Sequence, residues 1–165
     1  VTSVTDNQSN TYAQAIISGD IRAQYYGVQV TGSTTTVTVT VPSSTGITAH
    51  VSEFSGGASN NTAVFDKTSS GSGTGTSGSV TSFTPVANRQ LVHAFIHWAS
   101  SVTSPTAGSN YVLAGGSNDN HSYYRLSSSG SETAPITWTT SVAWNTLAGT
   151  YREKAEGGAT LFGLL

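Results

Sequence analysis

An all-β fold, two antiparallel sheets stacked as a jelly-roll or immunoglobulin-like sandwich, is what three features of this sequence predict. Apolar side chains recur at every second position in many short runs. Clusters of Ser, Gly and Asn separate those runs at roughly the 8–12-residue spacing of sandwich and barrel strands. Nowhere do apolar positions at i, i+3, i+4 and i+7 persist between plausible caps, and the abundant Val, Ile and Thr oppose helix.

Along the chain, residues 1–5, 11–17 and 22–30 read as the first strands. The clearest alternation is TTTVTVTV at 34–41, where Val37, Val39 and Val41 share one face and Thr36, Thr38 and Thr40 the other, as a half-buried strand requires. Further strands are expected at 46–54, 62–66, 79–83, 90–98, 111–114, 121–127, 135–139 and 143–151. The run LVHAFIHW at 91–98 differs from the others. Val92, Ala94, Ile96 and Trp98 oppose Leu91, His93, Phe95 and His97, so both faces are apolar and the strand is expected at the centre of a sheet covered on both sides. The total is about ten to twelve short strands. The Gly/Ser-rich stretch SSGSGTGTSG at 69–78 is expected to be a mobile loop between strands. One domain is expected over 1–152. Residues 153–165, a charged EKAEGG followed by the apolar ATLFGLL, read as a terminal strand or a linker.

Composition narrows the function classes. The 165 residues make one domain's worth of chain, and folding at this size removes roughly 68–70% of the unfolded surface from water without staples. With no cysteine, disulfides and thiolate zinc sites are excluded. Six Lys and Arg against eight Asp and Glu leave a charge of −2, which lacks the basic stripe that phosphate neutralisation needs, so no nucleic-acid partner is expected. No apolar run approaches the ~18–20 residues of a membrane span, and no Lys/Arg-led apolar segment opens the chain. The polar mass is Ser, Thr, Asn and Gly, which suits strand exteriors and tight turns of secreted or cell-surface domains. A start at Val1 instead of Met fits a processed or excised module.

Sites of chemistry are sparse. The letters GTGTSG at 73–78 match a dinucleotide fingerprint, but strand-like chain follows where a helix is required. No nucleophile elbow occurs. His93 and His97 share a strand face at a separation of ~13 Å, too far to hold one ion without a third ligand such as His50. Buried histidines satisfied by hydrogen bonds are the commoner case. Glycosidase chemistry needs two facing carboxylates; the acids are scattered, with Glu53 the oddest because it alternates onto the face of Ala49 and Val51. Asp6 with Asn10, and Asp119 between its Asn neighbours, supply turn oxygens that could hold a calcium ion, although such turns usually close unaided. Three Asn-x-Ser/Thr triplets begin at Asn7, Asn60 and Asn120. No catalytic residue and no other cofactor is expected.

Two faces stand out for recognition. Tyr123 alternates with His121 and Arg125, and Tyr26 with Gln24 and Arg22; outward-facing rings beside polar groups hold sugars by stacking and hydrogen bonding, or suit a protein interface. Tyr25, Tyr124 and Leu126 then point inward. Trp98, Trp138 and Trp144 sit on apolar-alternating faces and are expected in the core.

The opening VTSVTDNQSNTYAQA, the YYGVQV and TVTVTVP strands, the EFSGG turn, LVHAFIHW and the closing GSETAPITWTTSVAWNTLAGTY together resemble a recurrent β-sandwich module. It is found, often in tandem, in large secreted or surface proteins of bacteria and archaea. The resemblance covers nearly 1–151 and implies adhesive, spacer or glycan-binding roles without catalysis; it brings no active-site residues. The expectation is therefore a noncatalytic extracellular module with a structural or adhesive role, as a surface, stalk or filament subunit, paired with neighbouring copies or other surface proteins through its terminal strands. The alternative is a carbohydrate-binding module that takes polysaccharide on the Tyr26 and Tyr123 faces.

Overall fold

The computed structural model describes residues 1–18, 22–27, 36–43, 48–58, 64–87, 89–127 and 130–153. Ten strands lie among these described residues: β1 (Ser3–Asp6), β2 (Tyr12–Ser18), β3 (Arg22–Gly27), β4 (Val37–Thr40), β5 (Phe65–Gly78), β6 (Leu91–Trp98), β7 (Thr106–Ala107), β8 (Val112–Ser117), β9 (Asn120–Leu126) and β10 (Ile136–Tyr151). They form three antiparallel sheets, none closed. The largest has the order β5-β10-β6-β9-β8, with β7 attached to β10; β1 pairs β4, and β2 pairs β3.

The two-faced run at 91–98 lies where its composition placed it, with β10 on one side and β9 on the other. On one face Val92, Ala94, Ile96 and Trp98 join Tyr123, Ala148, Ile136, Trp138 and Val102 in the main core. On the other face Leu91 and Tyr151 join Val64, with Phe54, Tyr26, Phe65 and Tyr124 packed against them. That second layer comes from residues 48–58 and from the β2–β3 hairpin, whose Tyr26 ring stacks on Phe65 at 5.4 Å. The three tryptophans belong to the main core, Trp144 at its margin. In β4, Val37 and Val39 are half-buried and Thr38 and Thr40 exposed, as the alternation predicts.

Three sequence expectations give way. SSGSGTGTSG is not a loop but the last ten residues of β5, paired with β10 from Ala148↔Ser69 to Val142↔Gly75 and, past a register shift, at Thr137↔Ser77 and Ile136↔Gly78. Its glycines are what the partner strand demands: a Cβ on Gly73 would stand 3.0 Å from the Trp144 indole, and one on Gly71 only 2.1 Å from the Ser79 carbonyl oxygen. The expected strands at 135–139 and 143–151 are one strand, β10, with an irregularity between Thr137 and Val142 that takes up the intervening residues, buried Trp138 among them. The described residues of 46–54 and 79–83 are not extended strands; only the Phe83↔Glu132 bridge marks the latter. The N-terminal strand pairs within its own chain, Val4 opposite Val39. The apolar segment 159–165 lies outside the described residues.

Candidate functional site

The face expected outward at β9 is turned inward. Side chains opposite Ala94 and Ile96 must share their face, and the register sets Tyr123 against Ala94 and His121 against Ile96. Tyr123 is 0% exposed, donates its hydroxyl to the Ala134 carbonyl at 2.8 Å, and meets the Tyr111 ring edge-on. Burial pushes its phenol well above the usual range. His121 lies against Trp98, with burial lowering its imidazole. Arg125 pairs with Glu132 at 2.9 Å and stacks over Tyr111. Both faces of β9 are covered: Tyr124, expected inside, packs in the other layer, and only Leu126, expected there too, is exposed. The sequence signal that distinguishes the faces, Glu132 as an internal partner for Arg125, is seven residues away and invisible to periodicity.

The second recognition face is also an interlayer contact. Gln24 reaches His93, its Nε2 3.0 Å from the imidazole Nδ1, and Tyr26 lies between Phe65 and Tyr151. Arg22 contributes backbone to β3 opposite Ser18; its side chain lies outside what is described. His93 is enclosed by Gln24, the edge of Phe54 and the nearby His50. Burial, and then the neighbouring His50 charge, drop its pKa to about 4. His50 itself contacts Asn120 Oδ1 and the Phe95 ring. The histidines thus fasten the second layer to β6 and β9. Glu53 is exposed.

The calcium candidates are occupied by donors. Asp6 Oδ1 accepts the backbone N–H of Gln8 and of Asn10, and Oδ2 accepts the Asn10 amide and the Tyr12 hydroxyl. Desolvation pulls the Asp6 carboxyl up, but those bonds together outweigh it and bring its pKa to about 2, while desolvation and then the bond to Asp6 send Tyr12 up to about 12. Asp119 accepts from Ser117 and Asn120, which lowers its pKa. A carboxylate ringed by N–H and O–H groups is the reverse of an oxygen cage. Among the described residues, no three His, Cys, Asp or Glu side chains are placed to hold a metal. Of the glycosylation triplets, Asn7 is exposed, Asn120 is buried, and Asn60 lies outside the described residues.

Three open features remain. One depression, of about 490 Å³, runs between Ser70–Ser72 of β5 and the returning chain at 79–81, with Trp144 at its margin. A second, of about 280 Å³, separates Val51 and Phe54 from Leu113, Ala114 and Tyr124. Beside it β8 ends the large sheet, bonded to β9 alone among the described strands. All six of its residues are exposed, including Val112 at 51% and Leu113 at 38%, with Val51 at 71% across the depression. No helix among the described residues is long and apolar enough to cross a membrane. No family model, no curated protein and no solved structure matches this chain.

Proposed function

We propose that the chain is a noncatalytic β-sandwich module of a secreted or cell-surface protein, structural or adhesive in role, which associates with neighbouring copies or other surface proteins by strand pairing. The observation that carries this reading is the edge of β8, a six-residue strand bonded to β9 alone among the described residues and carrying two exposed large apolar side chains. Unpaired edge N–H and C=O groups template further strands unless covered, and extended segments bind such edges through backbone hydrogen bonds. Consistent with a structural role, the buried carboxylates of Glu132 and Asp66 are spent on internal ties to Arg125 and Arg152. The low-charge Ser, Thr and Asn surface and the resemblance of the strand motifs to recurrent surface-protein modules support the extracellular placement, which the lack of cysteine does not oppose. Layers on both faces of the large sheet support the sandwich.

Light scattering and negative-stain microscopy on the whole chain test the reading. Concentration-dependent oligomers or filaments are expected; a monomer at every concentration, with no association to surface-protein fragments, overturns it.

A second reading, carbohydrate binding, is favoured by the hydroxyl-lined depression beside Trp144, because an indole next to Ser and Thr hydroxyls suits a pyranose. The Tyr26 and Tyr123 rings do not carry it, since both are engaged by other side chains. Retention on insoluble polysaccharide, lost in Trp144→Phe, supports this reading; failure to bind a broad glycan panel removes it.

A further inference from the structure

We infer that the edge of β8 and the adjoining depression receive the apolar segment 159–165, ATLFGLL, of a second copy of this chain. The inference rests on the assembly reading above and names the partner at that edge.

Three observations converge on this occupant. The acceptor offers exposed apolar side chains, Val51 and Leu113, at a depression that Phe54, Ala114 and Tyr124 line together with Ser52 and Glu53, and Val112 is exposed beside it on β8. Segment 159–165 matches it chemically: it has seven residues without charge or proline, so it can pair along six-residue β8 and offer Leu161 or Phe162 to the depression. Its flanking residues Glu153, Lys154 and Glu156 are charged, which confines the apolar surface to the last stretch.

Geometry then decides between the chain's own segment and a neighbour's. Antiparallel pairing with β8 must start beside Ser117. The registers set Tyr151 level with Leu91 and Leu126, and Ser117 level with Asn120. The start point is therefore roughly 20 Å along the sheet and roughly 19 Å across it, or about 28 Å from the end of β10. From Glu153, held by its bridge to Gly57, the chain reaches Ala159 within at most roughly 21 Å. Its own segment falls short. Only parallel pairing beside Val112 lies near the limit of that reach, and parallel ladders are the weaker ones. A second copy meets no such constraint.

The natural absence of cysteine makes the test clean. Full-length Leu113→Cys is mixed under mild oxidation with full-length Leu161→Cys or Phe162→Cys; Val86→Cys, on another exposed surface, replaces Leu113→Cys as control. Disulfide-linked heterodimers are expected from the Leu113 mixtures, at least tenfold above the Val86 control. In parallel, a chain ending at Gly158 is expected to lose self-association. Cross-linking confined within single chains carrying both substitutions overturns the inference in favour of the chain's own segment. Association that persists with no cross-link above control, or survives the truncation, overturns the inference but leaves the assembly reading intact. Absence of any association removes both.

Discussion

Arg125 and Glu132 meet at 2.9 Å inside the main layer, with side chains only 14% and 5% exposed. The Tyr111 hydroxyl donates to the same carboxylate at 3.0 Å, and the guanidinium lies over the Tyr111 ring. Two charges and a phenol thus tie β9 to the chain entering β10, where Glu132 also exchanges backbone hydrogen bonds with Phe83. Removing one charge strands the other away from water, so Arg125→Met is expected to cost about 3–5 kcal/mol. The double variant Arg125→Met/Glu132→Leu should recover most of that loss, and urea denaturation reads both.

Tyr123→Phe deletes the hydroxyl that satisfies the buried Ala134 carbonyl. A loss of about 1–2 kcal/mol is expected, with the fold kept. Binding to any glycan or partner should be unchanged, because the ring faces the core. A selective loss of binding at full stability would return Tyr123 to a recognition role.

His93 makes stability pH-dependent. Its ring Nε2 is shut away from water, and its pKa falls from 6.5 to about 4 in the fold. Between those values the unfolded chain binds a proton that the native chain refuses. Stability is therefore unaffected above pH 6.5 and falls as pH drops toward 4, by up to roughly 3 kcal/mol. The Asp6 turn contributes in a separate window: its lowered pKa gives stability present above about pH 4 and lost as pH falls toward 2. Urea midpoints across pH 4–7 should slope in the wild type and slope less in His93→Gln, which leaves only the share of His121, also lowered by burial.

Gly71→Ala places a methyl 2.1 Å from a backbone oxygen of the returning chain, which no side-chain rotation relieves. A destabilisation of about 1–3 kcal/mol is expected. Gly115→Ala, with open space around its added carbon, is the control and should change stability by only a few tenths of that. Thermal melts of the two variants provide the check.

Periodicity made much of the large sheet legible. LVHAFIHW announced a strand covered on both sides because its two alternating sets are both apolar, and the Val/Thr alternation announced β4. The same rule misplaced one face of β9, where Tyr123 and Arg125 look polar in sequence but find the Ala134 carbonyl and Glu132 inside the fold. Polar atoms satisfied by distant partners leave no mark on local patterning. SSGSGTGTSG misled for a related reason: its glycines answer the bulk of Trp144 and the backbone at Ser79, residues that only pairing brings near. The β8 edge was not legible at all, since no residue in VLAGGS records whether a strand lies beyond it.

Amide hydrogen exchange followed from dilute to concentrated solution tests the central claim, that this is a sheet module working through its open edge. The account predicts slow exchange at Gly71–Ser72 and across β6 at all concentrations, with β8 amides that exchange quickly when dilute and become protected as copies associate. Association that leaves Val112–Ser117 exchanging as fast as before would contradict it.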